Sequence, residues 1–480
     1  MNKTTIALVA FFAGVIVVII AMLGFAHLPP VIKARLTSFT MGSTSEKEVV
    51  SLFLLFLKQY IKDHPEIPNP SPYLSQWYSN ALDLKCSLEE ASYQHIYRDL
   101  NRFRSSHQKC TQSGECAATD PIISASQIEL ASRMPHIQTI EVGGDAPASD
   151  HFFHSMLGST ATWLPRMKIV VNALDEPRVL ARKVTAEDLG QDDIFNYNPN
   201  TTLIERSKPG SVVRLFSKVC NRRGHVRAQL PQHAFFLSPT SFSVASSLIP
   251  IFSQSSIPDC FADILYPSDY FWRLESASKH GFNPENVSEN SWTEKAAKVI
   301  WRGSTTGGNA VQSTDYLAFH RQKLLNFSSS LHVDNVEIDI KALRIIQCDP
   351  EVCARQESIF SKGDAVSYVD VAKSKYLVDI DGNSFSQRIL PFLRYTKSLV
   401  LKLKLFEDWV TVLSKPFVHY IPAKMDLSDL KHMIEWARDN DDKAKGIAME
   451  AHRFANQRLR QEDMTCYLSR LLLEYYQLTI

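Results

Sequence analysis

KVIWRGSTTGG (298–308) and KYLVDIDGNSFSQR (375–388) share one plan. In each, an apolar run rich in β-branched residues ends in a loop of Gly, Ser, Thr and Asp. A helical pattern then follows, through Tyr316–Leu325 in the first case and Phe385–Arg394 in the second. Strands alternating with helices imply a parallel sheet. In a doubly wound sheet ligands lie at the carboxyl ends of the strands, so both loops are expected to face one cleft. Working outward, MKIVV (167–171), SVVRLF (211–216), SLVLK (398–402) and FVHYI (417–421) read as further strands. The fold class is therefore α/β.

The loops carry residues suited to an anion. WRGSTTGG sets an arginine, hydroxyls and glycines directly after a strand, where backbone amides and a guanidinium can meet a diphosphate. The Gly-Lys-Ser/Thr ending of a P-loop is missing, and the bland alternative is a Gly-rich surface turn. DIDGNSFSQR adds Arg388 near a helix start, although Asp381 or Ser384 could serve only as an N-cap and Asp-Gly only as a turn. Asp379-Ile380-Asp381 also spells the Asp-x-Asp with which some transferases hold a divalent ion. A third loop, NALDEPR (172–178), again follows a strand, and Asp175 there could take a proton from an attacking hydroxyl or simply form a turn.

The flanks are informative too. Ile6 to Ala26 carries no charge, and about 20 apolar residues cross a bilayer as a helix. The run exceeds the apolar core of a cleavable signal peptide, so an uncleaved anchor is expected over 6–26, with a short tail over 1–5 and a Ser/Thr-rich stalk over 27–45. Lys3 on one side and Lys33 and Arg35 on the other leave the orientation undecided. From residue 46 a helix is expected up to Pro65, and a second over 87–103, opened by a Ser87/Glu90 capping box. The last 55 residues read as helices. Asp426 and Ser428 are expected to cap the first of them, and the apolar stripes Leu430, Met433, Ile434, Ala437 and Leu468, Leu471, Leu472, Tyr475 signal packing. Asn200, Asn286 and Asn326 head glycosylation triplets. Eight cysteines beyond an apolar leader favour disulfides; Cys110/Cys116 and Cys348/Cys353 could close local loops, while burial as free thiols competes for Cys220 and Cys260. Lys and Arg (52) nearly cancel Asp and Glu (51), a net charge of +1. No global field draws nucleic acid, and any anionic ligand must be met locally.

Taken in order, NALDEPR, FADILYPS (261–268), WRGS, KYLVDIDGNSFSQR, SLVLK, PFVHYIP (416–422), DLSDL (426–430) and DDKAKGIAMEAHRFANQRLRQEDMTCY (441–467) resemble glycosyltransferase family 90. That family holds fungal capsule-associated xylosyltransferases and animal Rumi-type protein O-glucosyltransferases. The resemblance covers about residues 160–480, and the DGN loop is closer to the fungal branch. It implies a GT-B-like pair of Rossmann-like lobes, an N-terminal lobe (46–250) carrying the base, a C-terminal UDP-sugar lobe (251–425) and C-terminal helices (426–480). It further implies inversion at the sugar carbon with no metal or other cofactor.

By the same resemblance Asp175 is the catalytic base. Arg302, Gly303, Ser304 and Thr305 lie in the donor loop, and Asp381, Gly382, Ser386 and Arg388 in the second loop. Arg321 stands in for an arginine where the alignment has Thr314. Cys466 matches a cysteine paired near the amino-terminal end, with Cys86 a plausible partner, and Cys110–Cys116 fits another pair. The expected partners are a UDP-sugar, with xylose or glucose foremost, and a glycan, glycolipid or glycoprotein acceptor. The expected setting is a Golgi or endoplasmic reticulum membrane, single-pass type II, with the body in the lumen. Two alternatives stand beside this: a metal-dependent transferase using Asp379 and Asp381, and a non-catalytic lectin-like module of the same fold.

Overall fold

The computed structural model describes residues 86–87, 90–144, 148–189, 194–220, 225–274 and 291–480. Before residue 270 the strands are β1 (Ile137–Val142), β2 (Met167–Asn172), β3 (Phe195–Asn198), β4 (Leu203–Arg206), β5 (Ser243–Ala245), β6 (Phe252–Ser253), β7 (Ser255–Ser256) and β8 (Ile264–Leu265). After it come β9 (Ala296–Ser304), β10 (Glu337–Arg344), β11 (Ser374–Ile380), β12 (Leu399–Leu403), β13 (Glu407–Asp408) and β14 (Ile421–Ala423).

The later strands form a five-stranded sheet in the order β10-β9-β11-β12-β14, every pair parallel. Numbered by chain order that is 2-1-3-4-5, the doubly wound arrangement whose crevice opens between the first and third strands. The crevice therefore lies at the ends of β9 and β11. The earlier half is less regular: β1 runs antiparallel to β2, which continues in parallel through β6 to β8, and β3-β4-β5 form a separate antiparallel sheet. Of two expected Rossmann-like lobes, the later one has the full parallel sheet. From Ser87 to Ile480 the chain is one compact unit.

Five local expectations are corrected. SVVRLF is not a strand but the start of a helix, Val213–Val219. Its Leu215, Phe216 and Val219 share one buried face, and Phe216 meets Phe236 edge-on at 4.9 Å, so packing outweighs β-propensity. FVHYI is mostly a turn over 415–420, with only Ile421 entering β14. The helix expected from Ser87 is a 3-10 turn at Glu90–Tyr93 followed by the helix Gln94–Ser113, and the Ser87 hydroxyl donates to Asp463 Oδ1 at 2.7 Å. The helix after β9 is interrupted by an extended Phe319, and Asp429 rather than Asp426 precedes the helix Leu430–Asp439.

The C-terminal helix Gln461–Tyr476 is buried from Asp463 to Tyr475 and includes the expected Leu468, Leu471, Leu472 and Tyr475 stripe. Its buried Arg470 pairs with Glu474 at 3.3 Å, which also accepts from Tyr97. Cys110–Cys116, Cys348–Cys353 and Cys220–Cys260 are disulfides, so the last two cysteines are not free thiols. Cys86 and Cys466 are disulfide-bonded as well. Among the described residues no helix is long and apolar enough to cross a membrane. The span expected over 6–26, the tail, the stalk, the helix from residue 46 and the Asn286 triplet lie outside the described residues.

Cys220 and Cys260 are both fully buried beside the Phe216 cluster and lie 40 residues apart in sequence. Replacing both with alanine is expected to lower the unfolding free energy by about 2–5 kcal/mol. Urea unfolding of the oxidised chain beside the double variant checks this; an unchanged midpoint contradicts it.

Candidate functional site

At the carboxyl end of β9, side chains alternate across the strand. Trp301 and Gly303 face one side, and the guanidinium groups of Arg388 and Arg321 lie over the Trp301 ring at 5.6 and 5.9 Å. A Cβ on Gly303 would come within 2.6 Å of that ring and 3.2 Å of the Arg388 guanidinium, so glycine is what lets the arginine lie on the strand. Gly307 has a φ of +128°, and a Cβ there would sit 2.2 Å from His320. Its N–H donates to Gln347 Oε1 and to Asn383 Oδ1, at 3.0 and 3.1 Å.

Arg321, buried on the helix His320–Ser328, ties the two loops together. It donates to the carbonyls of Asp381 (2.7 Å), Ser304 (2.9 Å) and Ile380 (3.1 Å) and to the Thr306 hydroxyl (2.6 Å). Burial and then the neighbouring Arg388 push it down to about 9, so it stays charged at neutral pH. Arg388 precedes the helix Ile389–Tyr395 instead of lying in its first turns. It is half-buried, donates to the Arg302 carbonyl and lies 3.9 Å from Asp379. Arg321, Arg388, Gly303, Ser304 and Gly382 are thus brought together. Thr314 is not: its hydroxyl donates to Val311 within its own turn.

Four expected donor contacts turn elsewhere. Arg302 points to the opposite side of β9 from Trp301, where its Nη2 donates to both carboxylate oxygens of Asp339 on β10 at 2.8 Å and its Nη1 to the Asp339 carbonyl. Parallel pairing sets Arg302 beside Lys341, so the face opposite the crevice claims it. Thr305 is buried and exchanges hydrogen bonds with the Ile346 backbone. Ser386 is buried and donates to Asp379. The Asp381 carboxylate caps the amides of Leu405 and Phe406.

Asp379 and Asp381 do not form an ion-holding pair. Both are fully buried around the equally buried Lys402, whose ammonium lies 2.7 Å from Asp379 and 3.6 Å from Asp381. Burial pushes Asp381 up to about 6 despite the lysine. For Lys402 burial works downward, and the two carboxylates outweigh it and raise it. The motif is a structural charge pair at the base of the crevice, and removing one partner of such a group is costly.

The NALDEPR loop closes over these loops. Asn172 donates to the Glu176 carbonyl at 2.7 Å and accepts from Leu174 N–H at 3.0 Å. Buried Asp263, from the FADILYPS stretch, accepts the amides of Arg178 and Val179 and the Ser253 hydroxyl. The Asp175 carbonyl takes hydroxyl bonds from Ser255 (2.6 Å) and from Ser384 of the second loop (2.7 Å). Burial first, and the charge of Asp269 to a lesser degree, raise Asp175 above the ordinary aspartate value, and the nearby Asn383 amide opposes them. All three loops therefore meet at one place. Asn383, Lys402, Asp339 and His320, which bonds the Asp381 carbonyl at 2.9 Å, are the residues the motifs did not single out.

A separate cavity of about 450 Å³ includes His95, Lys415, His419, Glu450, Arg453 and Phe454 in its lining and contains none of these loop residues. Among the described residues, no group of three His, Cys, Asp or Glu side chains is arranged to hold a metal.

Residues 237–480 match glycosyl transferase family 90, and the chain belongs to that family. It is 38% identical over 117 residues to Protein O-glucosyltransferase 2 of Danio rerio, covering 24% of this chain and 23% of that one. To Protein O-glucosyltransferase 1 of Homo sapiens it is 37% identical over 245 residues, 47% of this chain and 57% of that one. To an uncharacterized protein, 179R, of Invertebrate iridescent virus 6 it is 26% identical over 275 residues, 48% and 23% of the two chains. The matches thus span less than two thirds of each relative's length.

Glu176, buried next to Asp175, is pushed up to about 7 by burial and then by the Asp175 charge. Its folded value exceeds the ordinary 4.5, so the unfolded chain loses this proton first as pH rises. The cost to stability grows between pH 4.5 and 7 and is constant above. Glu176→Gln is expected to raise the urea midpoint relative to the wild type near pH 8 and to leave it unchanged near pH 4. Equal shifts at both pH values contradict the assignment.

Proposed function

We propose that this chain is an inverting glycosyltransferase that moves a sugar from a UDP-sugar to a hydroxyl of a protein or glycan acceptor. The observation that carries the reading is the meeting of the Asp175 loop with the β11 loop, through the Ser384 hydroxyl on the Asp175 carbonyl, at the crevice where the β9 and β11 loops and Arg388 converge. Asp175 takes the proton of the acceptor hydroxyl while that oxygen forms its bond to the anomeric carbon. The bond from that carbon to the diphosphate breaks on the opposite face, and its electron pair leaves with UDP. Raised above the ordinary aspartate range by burial, Asp175 is a stronger base than a solvated one.

The leaving diphosphate gathers negative charge. Arg388 is the residue poised to meet it, aided by the buried charge of Arg321 and by Ser304 beside them. No step is routed through a metal, because Asp379 and Asp381 are committed to Lys402, Ser386 and backbone amides. The names of the relatives favour glucose and a protein hydroxyl over xylose and a glycan or glycolipid, and the DGN loop favours the fungal side of the family. Disulfides and the exposed Asn200 and Asn326 support a luminal body. The apolar run over 6–26 supports a type II anchor in the Golgi or endoplasmic reticulum membrane.

The test is UDP release by the full chain in detergent with UDP-xylose, UDP-glucose, UDP-galactose or UDP-glucuronic acid, with a panel of protein and glycan acceptors. Turnover with one donor should survive EDTA, and Asp175→Asn should lower it about 10²–10⁴-fold while UDP still binds. Loss with EDTA would move the reading to a metal-dependent transferase. Bound UDP with no turnover for any acceptor would favour the non-catalytic module.

A further inference from the structure

The cavity outside the crevice has no part in the chemistry above. At about 450 Å³ it lies within the roughly 300–1,000 Å³ range of small-molecule sites. Its polar wall comes from separated stretches: the start of the helix Gln94–Ser113, the turn over 415–420 and the last turns of the helix Asp441–Arg458.

Hydrogen bonds behind the wall fix what it offers a ligand. His419 is buried, and its ring stacks on Phe454 with centroids 4.0 Å apart. Burial keeps the ring neutral, pushed down to about 4. Its Nδ1 accepts the Lys415 N–H at 2.9 Å, so the proton sits on Nε2, and among the described residues that N–H has no acceptor. His95 is set in the opposite sense: its Nε2 donates to the Val412 carbonyl at 3.0 Å, which leaves Nδ1 as an acceptor. Arg453 donates to Glu450 and to Gln457, each at 2.9 Å. Lys415 Nζ makes no ion pair or hydrogen bond among the described residues. Lys415, Arg453 and Arg458 outnumber the one carboxylate of the lining, Glu450, so the cavity is net positive.

The turn supplies an independent sign. Phe417 holds a φ of +60° and is 59% exposed, beside Val418 at 40%. A left-handed backbone is unfavourable for phenylalanine, and an exposed ring gives the fold no burial in return.

We propose that this cavity binds a sugar unit carrying a single negative charge, a uronic acid within an oligosaccharide, with its carboxylate on Lys415 and the His419 Nε2–H. Its hydroxyls meet acceptors at His95 Nδ1 and Glu450, and an apolar face of the sugar ring lies on Val418 and Phe417. Hydrogen bonds between a cation and a carboxylate are among the strong ones. Glu450 in the wall favours one charge over the two of a phosphate monoester, and acceptors beside the cations favour a polyol over an acidic peptide. The site needs no assumption about Asp175 or the transfer step.

The experiment is calorimetric titration of the full chain in detergent with a tetrasaccharide containing glucuronic acid, a neutral glucose tetrasaccharide, glucose 6-phosphate and a glutamate-rich peptide. The acidic tetrasaccharide is expected to bind tightest. Lys415→Glu and His419→Gln should each weaken it about tenfold or more, Phe417→Ala should weaken it less, and Arg388→Ala in the crevice should leave it unchanged. Lys415 and Phe417 are exposed, so their variants decide the question if His419→Gln does not fold. The proposal is overturned if the acidic tetrasaccharide does not bind, if the neutral one, the sugar phosphate or the peptide binds as tightly, or if Lys415→Glu leaves the affinity within twofold of wild type. Loss of binding in Arg388→Ala would place the ligand in the crevice and overturn it too.

Discussion

The site depends on one buried cation. Arg321 spends its guanidinium on carbonyls at the ends of β9 and β11 and on Thr306, so the two donor-side loops cannot separate without stranding a charge in the core. The 2-1-3-4-5 strand order opens the crevice at these strand ends, and Arg321 sets its width. Beneath it, Lys402 holds the Asp379 and Asp381 side chains at the same strand end whose carbonyls Arg321 binds.

This division of labour fits a chain with a net charge of +1 to the anionic donor proposed for it. Of the cations at the crevice, Arg321 and Lys402 are structural and supply only field. Arg388, lying on Trp301 and donating to the Arg302 carbonyl, keeps 20% of its side chain exposed. Low dielectric strengthens every such contact. The same burial raises Asp175 and Glu176, so the environment that suits a leaving diphosphate also makes a carboxyl basic.

Much of this was legible in the residues, and the failures have physical causes. Each of the strands KVIW, YLVDI and SLVLK, in the interior of a parallel sheet, reads as a mostly apolar run whose bounds lie within three residues of the observed strand. SVVRLF failed because its partners, Phe236 and Phe261, are remote in sequence. Within the site, motif and resemblance led to Asp175 and Arg388 and to the Arg321 substitution, but not to which way a side chain faces. Arg302 is lost to Asp339 because strand alternation puts it opposite Trp301, and only the register with β10 reveals that partner. Asn383 reads as part of an Asp-Gly-Asn turn, and the Gly307 N–H it accepts lies 76 residues earlier in the chain.

The central claim is that the crevice between β9 and β11 is the nucleotide-sugar site. A structure of the full chain with UDP bound tests it most directly. The account predicts the diphosphate against Arg388 and Ser304, with Asp175 facing the open side of the β-phosphate. UDP seated in the cavity lined by His95, His419 and Arg453, with the crevice empty, would contradict it.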